Sequence, residues 1–184
     1  MAQNPDVTPM LTHAVSSISK SHAAPGFRSG WCVGPASFCD ALLPVSETML
    51  FGNQPFIADM TEKAVRDGSP VAPGMAARFA ARADQLVQRL HGETELRVHR
   101  PEAGMFALID VSATGLDGDA YAWDLLDSGV AVMPGSAFGG SLKNWVRVAL
   151  TIDDSSFATA LDRITAHANR KARSAASPRA LRAI

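Results

Sequence analysis

The sequence has almost no excess of charge of either sign. Seventeen lysines and arginines stand against eighteen aspartates and glutamates, for a formal net charge of −1. Proteins that bind nucleic acid usually carry a strongly basic surface, so the composition gives no support to a nucleic-acid partner. No apolar run approaches the roughly eighteen residues that a membrane-spanning helix needs, and we expect no membrane partner either.

Cysteine is also scarce, because Cys32 and Cys39 are the only two. They have no metal-ligand spacing, and no histidine pair lies beside them, so we expect reduced thiols and no bound metal. The first twelve residues lack the basic start and apolar stretch of a secretory signal. We therefore expect a cytoplasmic protein, and 184 residues suit one domain or one and a half.

Lysine is rare too, with four against thirteen arginines, and one of the four has an informative setting. Lys20 follows Ser17 and Ser19, and Arg28 lies eight residues later. A lysine amine condenses with an aldehyde to form a Schiff base, while hydroxyls and a guanidinium donate to a phosphate. The pattern indicates a site for a phosphorylated aldehyde cofactor. A solvated lysine at a strand end, followed by an ordinary Pro25-Gly26 turn, is the alternative.

The run around Lys20 resembles the cofactor-lysine signature of class I/II (fold type I) pyridoxal-phosphate-dependent aminotransferases. Nine positions fit that signature: Ser17, Ile18, Ser19, Lys20, Ala23, Ala24, Gly26, Arg28 and Gly30. Ser29 departs from it, because the family usually has an apolar residue there. The resemblance implies a Lys20 Schiff base with pyridoxal 5'-phosphate, and it implies that Ser17, Ser19 and Arg28 also bind this cofactor.

A second stretch carries the same resemblance independently. The segment 129–139 resembles the family's small-domain strand and loop, and it leads to Arg147 inside an apolar strand. An arginine among apolar neighbours is costly to bury unless an anion meets it, and its fork binds a carboxylate through two hydrogen bonds. The resemblance implies that Arg147 binds the substrate carboxylate and that Phe106 or Met105 faces the substrate, with a core position as the alternative for both phenylalanine and methionine. An edge-strand arginine pointing to solvent is the alternative.

The resemblance also implies an extent and an activity. Only nineteen residues precede Lys20, so we expect the C-terminal portion of an aminotransferase, without the aspartate that pairs with the pyridine nitrogen. That chain would be inactive alone, although full-length relatives transfer an amino group from an amino acid to a 2-oxo acid and form homodimers. Segments such as 48–52 and 104–106 resemble the arginine–pyruvate transaminase branch of the aspartate-aminotransferase-like family. A non-catalytic or ligand-sensing remnant and a lyase of the same fold are the alternatives.

Hydrophobic periodicity predicts an α/β chain, consisting of the end of a large-domain sheet followed by a small α/β domain. We predict buried strands at 14–18 and 30–33, and helices at 35–43, 56–65, 73–90 and 119–126. Further strands are predicted at 96–99, 105–111, 131–133 and 145–150, and Asp153 is expected to cap a last helix. The predicted organisation is a large-domain remnant (1–72), a bridging helix with solvated arginines (73–91), a small domain (92–169) and a disordered basic tail (170–184).

Overall fold

The computed structural model describes residues 14–180 of the chain and the side chains of residues 14–174. The chain divides into two compact units, Met1–Gly74 and Met75–Ile184. The start of the predicted 1–72 segment and the end of the predicted 170–184 tail lie outside the described residues. None of the helices within residues 14–180 combines the length and the apolar character needed to cross a membrane.

The first unit pairs one short β-ribbon with helices. Strands β1 (Ala14–Ser17) and β2 (Gly30–Val33) are antiparallel, and the register places Ser17 opposite Gly30. The connection contains the single-turn helix α1 (Ile18–Ser21) and a 3₁₀ turn at Pro25–Phe27. Helices α2 (Ala36–Leu50) and α3 (Pro55–Asp67) follow.

Gly30 permits the close approach of the two strands. A Cβ at this position would lie 2.7 Å from the Ser16 carbonyl oxygen and 3.0 Å from the Ser17 Cβ. Real Cβ atoms do not approach a backbone oxygen this closely, so any other residue would push the strands apart. The residue after β1 begins α1, and the pairing therefore fixes where the Lys20 helix starts.

Two expectations for this unit are wrong. Strands β1 and β2 are mostly exposed within the described chain instead of buried, since in β1 only Ser17 and in β2 only Trp31 is even half-buried. Helix α2 continues through Pro44 to Leu50, although we expected it to end near residue 43. Proline removes one backbone N–H from the helix, but the residues on both sides of Pro44 are helical, and the Thr48 hydroxyl donates to the Pro44 carbonyl at 2.8 Å.

The second unit is an antiparallel sheet packed against helices. Helix α4 (Ala72–Glu93) begins at the end of the first unit and lies mostly in the second. Next come β3 (Arg97–His99), β4 (Phe106–Asp110), α5 (Gly118–Leu126), β5 (Met133–Pro134), β6 (Trp145–Ala149) and α6 (Asp154–Ala180). The strand order is β3-β4-β6-β5, and every neighbouring pair is antiparallel.

One face of this sheet forms the core. Ala107 and Ile109 alternate along β4, and Val146 and Val148 alternate along β6, and all four are buried. Successive strand residues point to opposite faces, so the residues between them, including Arg147, lie on the other face. Helices α4, α5 and α6 contribute further core side chains, namely Ala83, Leu86, Leu90, Tyr121, Leu125, Phe157, Leu161, Ile164 and Ala168. The predicted α/β class is confirmed.

Helix caps in the second unit follow from the sequence. The Asp117 carboxylate accepts a hydrogen bond from the Ala120 backbone N–H at 2.8 Å and caps α5. Asp153 accepts from the Ser156 N–H at 2.8 Å and from the Ser155 hydroxyl at 2.6 Å. These donors hold the pKa of the Asp153 carboxyl well below its usual range. The expected cap of the last helix is confirmed.

Two expectations for this unit are wrong. Arg82 was expected on a solvated face, but it is 4% exposed, and its guanidinium donates to the Leu150 carbonyl at 2.6 Å and to Asp154 Oδ1 at 2.5 Å. The tail was expected to be disordered from Arg170, but α6 continues to Ala180. At residues 170 and 171 this helix contacts α5 and the turn after it, since Lys171 pairs with Asp124 and Arg170 donates to the Ser128 hydroxyl.

Candidate active site

Lys20 lies near the end of helix α1, directly after the β-ribbon. Ser17 precedes the helix in an extended conformation, and the chain then turns so that the Lys20 side chain is exposed. Two neighbours fix the end of this turn. The Ser21 hydroxyl lies 2.9 Å from the Ser17 carbonyl and 2.8 Å from His22 Nδ1, and His22 Nε2 lies 2.9 Å from the Ala64 carbonyl. Because a carbonyl oxygen only accepts, His22 Nε2 carries the hydrogen and ties this turn to α3.

The predicted cofactor-binding side chains are chemically available. Within residues 14–174, no hydrogen bond or ion pair to a described residue engages the Lys20 amine or the hydroxyls of Ser17 and Ser19. Arg28 uses one nitrogen to donate to the Pro25 carbonyl at 2.8 Å, and the rest of its exposed guanidinium remains free to donate to a ligand. An amine, two hydroxyls and a cation therefore lie on one short segment of the first unit.

Ser29, the position that departs from the family signature, is buried and hydrogen-bonded. Asn53 Nδ2 donates to the Ser29 hydroxyl oxygen at 3.1 Å, and Thr61 Oγ1 lies 2.7 Å from the same oxygen. Thr61 Oγ1 also lies 2.7 Å from the Ile57 carbonyl. Since a hydroxyl has a single hydrogen, Thr61 donates to Ile57 and accepts from Ser29. The serine thus anchors the end of the Lys20 loop to α3.

Arg147 lies on β6 in the second unit, on the sheet face opposite the core. It pairs with Leu108 on β4 and with Met133 on β5. Its guanidinium carbon lies 4.1 Å from the centre of the Phe106 ring and 4.4 Å from the centre of the Phe138 ring. These are favourable distances for a cation over an aromatic ring.

No carboxylate among residues 14–174 forms an ion pair with Arg147, and no hydrogen bond to a described residue uses its guanidinium. The in-plane N–H groups of a guanidinium match the two oxygens of a carboxylate. Arg147 and the two phenylalanine rings line a surface pocket of about 520 Å³ together with His99 and Glu102. The pocket thus presents an unpaired cation to any anion that enters it.

The predicted site residues form two groups, one in each unit. Ser17, Ser19, Lys20 and Arg28 belong to the first unit, whereas Phe106 and Arg147 belong to the second. The sequence reasoning gave no role to Phe138. Its place in the sequence, before two glycines at the end of the segment that leads to the arginine strand, does not by itself indicate a contact with Arg147. Within residues 14–180, no group of three His, Cys, Asp or Glu side chains is arranged to hold a metal ion.

The architecture matches solved structures of aminotransferases. An aromatic aminotransferase from Pyrococcus horikoshii aligns with a TM-score of 0.75 and 23% identity, over 84% of this chain and 42% of that one. A single mutant of Thermus thermophilus aspartate aminotransferase aligns with a TM-score of 0.74 and 26% identity, over 88% of this chain and 42% of that one. The fold is therefore that of an aminotransferase, and the predicted pyridoxal-phosphate-dependent transferase fold is confirmed.

Sequence comparison identifies the family. The profile described as aminotransferase class I and II matches residues 2–164, so the chain belongs to the class I and II aminotransferase family. An arginine–pyruvate transaminase from Pseudomonas aeruginosa is 39% identical over 142 residues, which are 77% of this chain and 36% of that protein. An LL-diaminopimelate aminotransferase from Dehalococcoides mccartyi is 32% identical over 75% of this chain and 35% of that protein. The chain spans little more than a third of these curated relatives.

Proposed function

We propose that this chain carries two functional segments of a pyridoxal-phosphate-dependent aminotransferase. Such an enzyme transfers an amino group from an amino acid to a 2-oxo acid. The first part is the segment around Lys20, and the second is the pocket at Arg147. The observation that carries the proposal is the Lys20 segment, where an uncommitted amine, two hydroxyls and a guanidinium lie within the region that matches the family. That donor set suits an aldehyde with a phosphate group.

The residues present fit pyridoxal 5'-phosphate chemically. Ser17 and Ser19 hydroxyls and the Arg28 guanidinium offer neutral and cationic donors for the phosphate, and Lys20 offers the amine for the aldehyde. When bound, the cofactor's ring withdraws electrons from the α-carbon of the substrate. The chain's own contribution is to hold this group and to place a base beside it.

Lys20 and Arg147 have distinct roles in this proposal. Once the substrate amine has displaced the Lys20 amine from the aldehyde carbon, the Lys20 Nζ atom would take a proton from the substrate α-carbon and donate it to the cofactor, which is the role of a general base and acid. Arg147 binds the α-carboxylate through in-plane N–H groups and thereby orients the substrate. Every amino acid has this carboxylate, so Arg147 selects the class of substrate and not the individual member.

The identity of the amino donor is a finer proposal. The 39% identity to an arginine–pyruvate transaminase favours arginine as donor and pyruvate as acceptor. Homodimer formation, cytoplasmic location and the inactivity of residues 1–184 on their own stay predictions. A lyase or a non-catalytic remnant of the same fold would differ in products, since a lyase releases ammonia or a thiol and a remnant releases nothing.

The decisive experiment measures cofactor binding by the chain. We expect addition of pyridoxal phosphate to produce a new visible absorbance band, and we expect Lys20→Ala to abolish it. Lys63→Ala is the matched control, because Lys63 lies in the same unit and is exposed but pairs with Asp67. A band of equal strength in Lys20→Ala would contradict the assignment of the lysine.

Product analysis tests the reaction class. The chain, with cofactor, arginine and pyruvate, is assayed for alanine, for ammonia and for the 2-oxo acid derived from arginine. Alanine formation that depends on Lys20 supports an aminotransferase and contradicts the expected inactivity of the isolated chain. Release of ammonia without alanine would instead indicate a lyase, and the proposed transfer reaction would be wrong.

A further inference from the structure

Arg147 is contacted by two aromatic rings, and only Phe106 was expected near the substrate. We infer that Phe138 is a positioning residue, which holds the Arg147 guanidinium in the orientation that receives a substrate carboxylate. This inference rests on the proposed function and adds to it a residue that acts through Arg147. The ring of Phe138 lies 4.4 Å from the guanidinium carbon, nearly as close as the 4.1 Å of Phe106.

The backbone around Phe138 fixes where its side chain leaves the chain. Phe138 ends a 3₁₀ turn (Gly135–Phe138) that begins directly after β5, the strand beside β6. Gly135 is buried, and a Cβ there would overlap the Leu142 carbonyl oxygen and lie 2.7 Å from the Trp145 carbonyl oxygen. Gly139 has a φ of 138°, which residues with a Cβ rarely adopt. The turn therefore requires both glycines, and it places Phe138 at the sheet face that bears Arg147.

The second ring arrives by a different route. Phe106 is the first residue of β4, two positions before Leu108, which pairs directly with Arg147. Residues two apart in a strand share a face, and diagonal neighbours lie within reach of long side chains. One ring therefore comes from the sheet itself and the other from the turn after β5. These two independent supports fix the guanidinium more firmly than one contact would.

The two contacts matter because arginine is a long side chain with many rotamers. Ordering it upon substrate binding costs conformational entropy, and contacts made beforehand reduce that cost. Each ring attracts the cation through its face, while the in-plane N–H groups remain available to the carboxylate. A half-buried Arg147 with no carboxylate partner among residues 14–174 is consistent with an orientation that the rings maintain.

The test compares two substitutions at Phe138 in the full chain. Phe138→Leu removes the ring and keeps an apolar side chain, whereas Phe138→Tyr keeps the ring. Trp123→Leu is the control for loss of an exposed aromatic residue elsewhere, because Trp123 is 73% exposed and none of the cation–ring contacts among residues 14–174 involves it. The probe is pyruvate, and its binding is followed by NMR through the Nε–H signal of Arg147.

The expected result has two parts. In the free protein, the aromatic rings shift the Arg147 signal upfield, and Phe138→Leu moves it toward the position of an unstacked arginine. Phe138→Leu also weakens pyruvate binding by about three- to fivefold, while Phe138→Tyr and Trp123→Leu change it by less than about twofold. An unchanged Arg147 signal in Phe138→Leu would overturn the inference, as would an equal loss of affinity in Phe138→Tyr.

Failure of the proposed function and failure of the role of Phe138 would give different results. If pyruvate does not perturb the Arg147 signal in the unmodified chain, the carboxylate-binding part of the proposed function is wrong. The signal shift in the free protein still decides whether Phe138 orients the guanidinium. If pyruvate binds but Phe138→Leu alters neither the signal nor the affinity, the proposed function stands and the role of Phe138 is wrong.

Discussion

The two units differ in how they treat apolar side chains. The second unit encloses a continuous core that includes Ile109, Leu90 and Tyr121, each 0% exposed. In the described part of the first unit, Ile18 is the only buried apolar residue, and Phe51 at the end of α2 is 91% exposed. Both units nevertheless have regular helices and paired strands.

This difference separates local structure from tertiary stability. Helices and hairpins form from backbone hydrogen bonds and local preferences, but most stability of a helix in a protein comes from packing of its apolar face. The second unit has that packing and the first has little of it within itself. We therefore predict that substitutions of apolar residues will be costly in the second unit and tolerated in the first.

The largest contrast should come from paired apolar truncations. Ile109→Ala removes a fully buried side chain between β3 and β6, and we expect a loss of about 2–5 kcal/mol in the free energy of unfolding. Leu43→Ala, at a position 56% exposed on α2, should change it by less than about 0.5 kcal/mol. Urea denaturation measures both, and an equal cost at Leu43 would show that the first unit has a core of its own.

A second contrast lies within the second unit, where two aspartates of α6 pair with arginines of α4. Asp154→Ala leaves the buried Arg82 without its carboxylate, and we expect a loss of about 1.5–3 kcal/mol. Asp162→Ala removes a partner of Arg89, which is far more exposed than Arg82, and should cost less. Thermal or urea unfolding compares the two variants. Equal losses would mean that the burial of Arg82 has no energetic consequence.

The β1–β2 ribbon is the part of the first unit where a substitution should be destabilising. Gly30→Ala forces a Cβ against the Ser16 carbonyl, and we expect about 1–3 kcal/mol of local destabilisation. Gly26→Ala is the matched control, since nothing lies within 4 Å of a Cβ at that position. Amide hydrogen exchange reports the result, with faster exchange in β1 and β2 expected for Gly30→Ala alone. Unchanged exchange would show that the strands pair more loosely than described.

The smallest effect should be a dependence of folding stability on pH in the second unit. Burial lowers the pKa of His167 below the ordinary 6.5, although the Asp124 carboxylate opposes this effect. Tyr121, Asp124, Arg170 and Lys171 surround the ring. The unfolded chain therefore binds a proton at His167 more readily than the folded chain. The stability that neutral His167 contributes is fully present above pH 6.5, and it is lost as the pH decreases through and below that value.

His167→Gln should remove this part of the pH dependence. Unfolding is measured at several pH values between about 7 and 5, and the slope for the variant should be flatter than for the unmodified chain. The direct check is an NMR titration of the His167 ring, whose midpoint should lie below 6.5. A midpoint above that value would mean that Asp124 outweighs burial.

Much of the fold could be predicted from the sequence because its signals are local. Alternating apolar residues predicted β4 and β6, and Asp153 predicted the start of α6. Errors arose where a distant partner decided the outcome. Arg82 looks like a surface residue in its helix, and its burial is explained by contacts with the Leu150 carbonyl and Asp154, 68 and 72 residues later. The exposure of β1 and β2 likewise depends on what packs beside them.

For the candidate site, too, the sequence does not reveal features that depend on distant contacts. Lys20 and Arg147 could be proposed as site residues from their sequence settings, because a lysine among hydroxyls and an arginine within an apolar strand are unusual. Phe138 could not be given a role, because its contact with Arg147 depends on the turn after β5 and on the β5–β6 pairing. Aromatic residues are common in cores, so sequence alone does not distinguish a ring that holds a cation.

The most direct test of the central claim is the location of the cofactor on the chain. Pyridoxal phosphate is added, the adduct is fixed with borohydride, and mass spectrometry of peptides compares the four lysines, Lys20, Lys63, Lys143 and Lys171. We predict that one cofactor per chain is attached and that it is on Lys20. Labelling spread over the other three lysines, with Lys20 not preferred, would contradict the account.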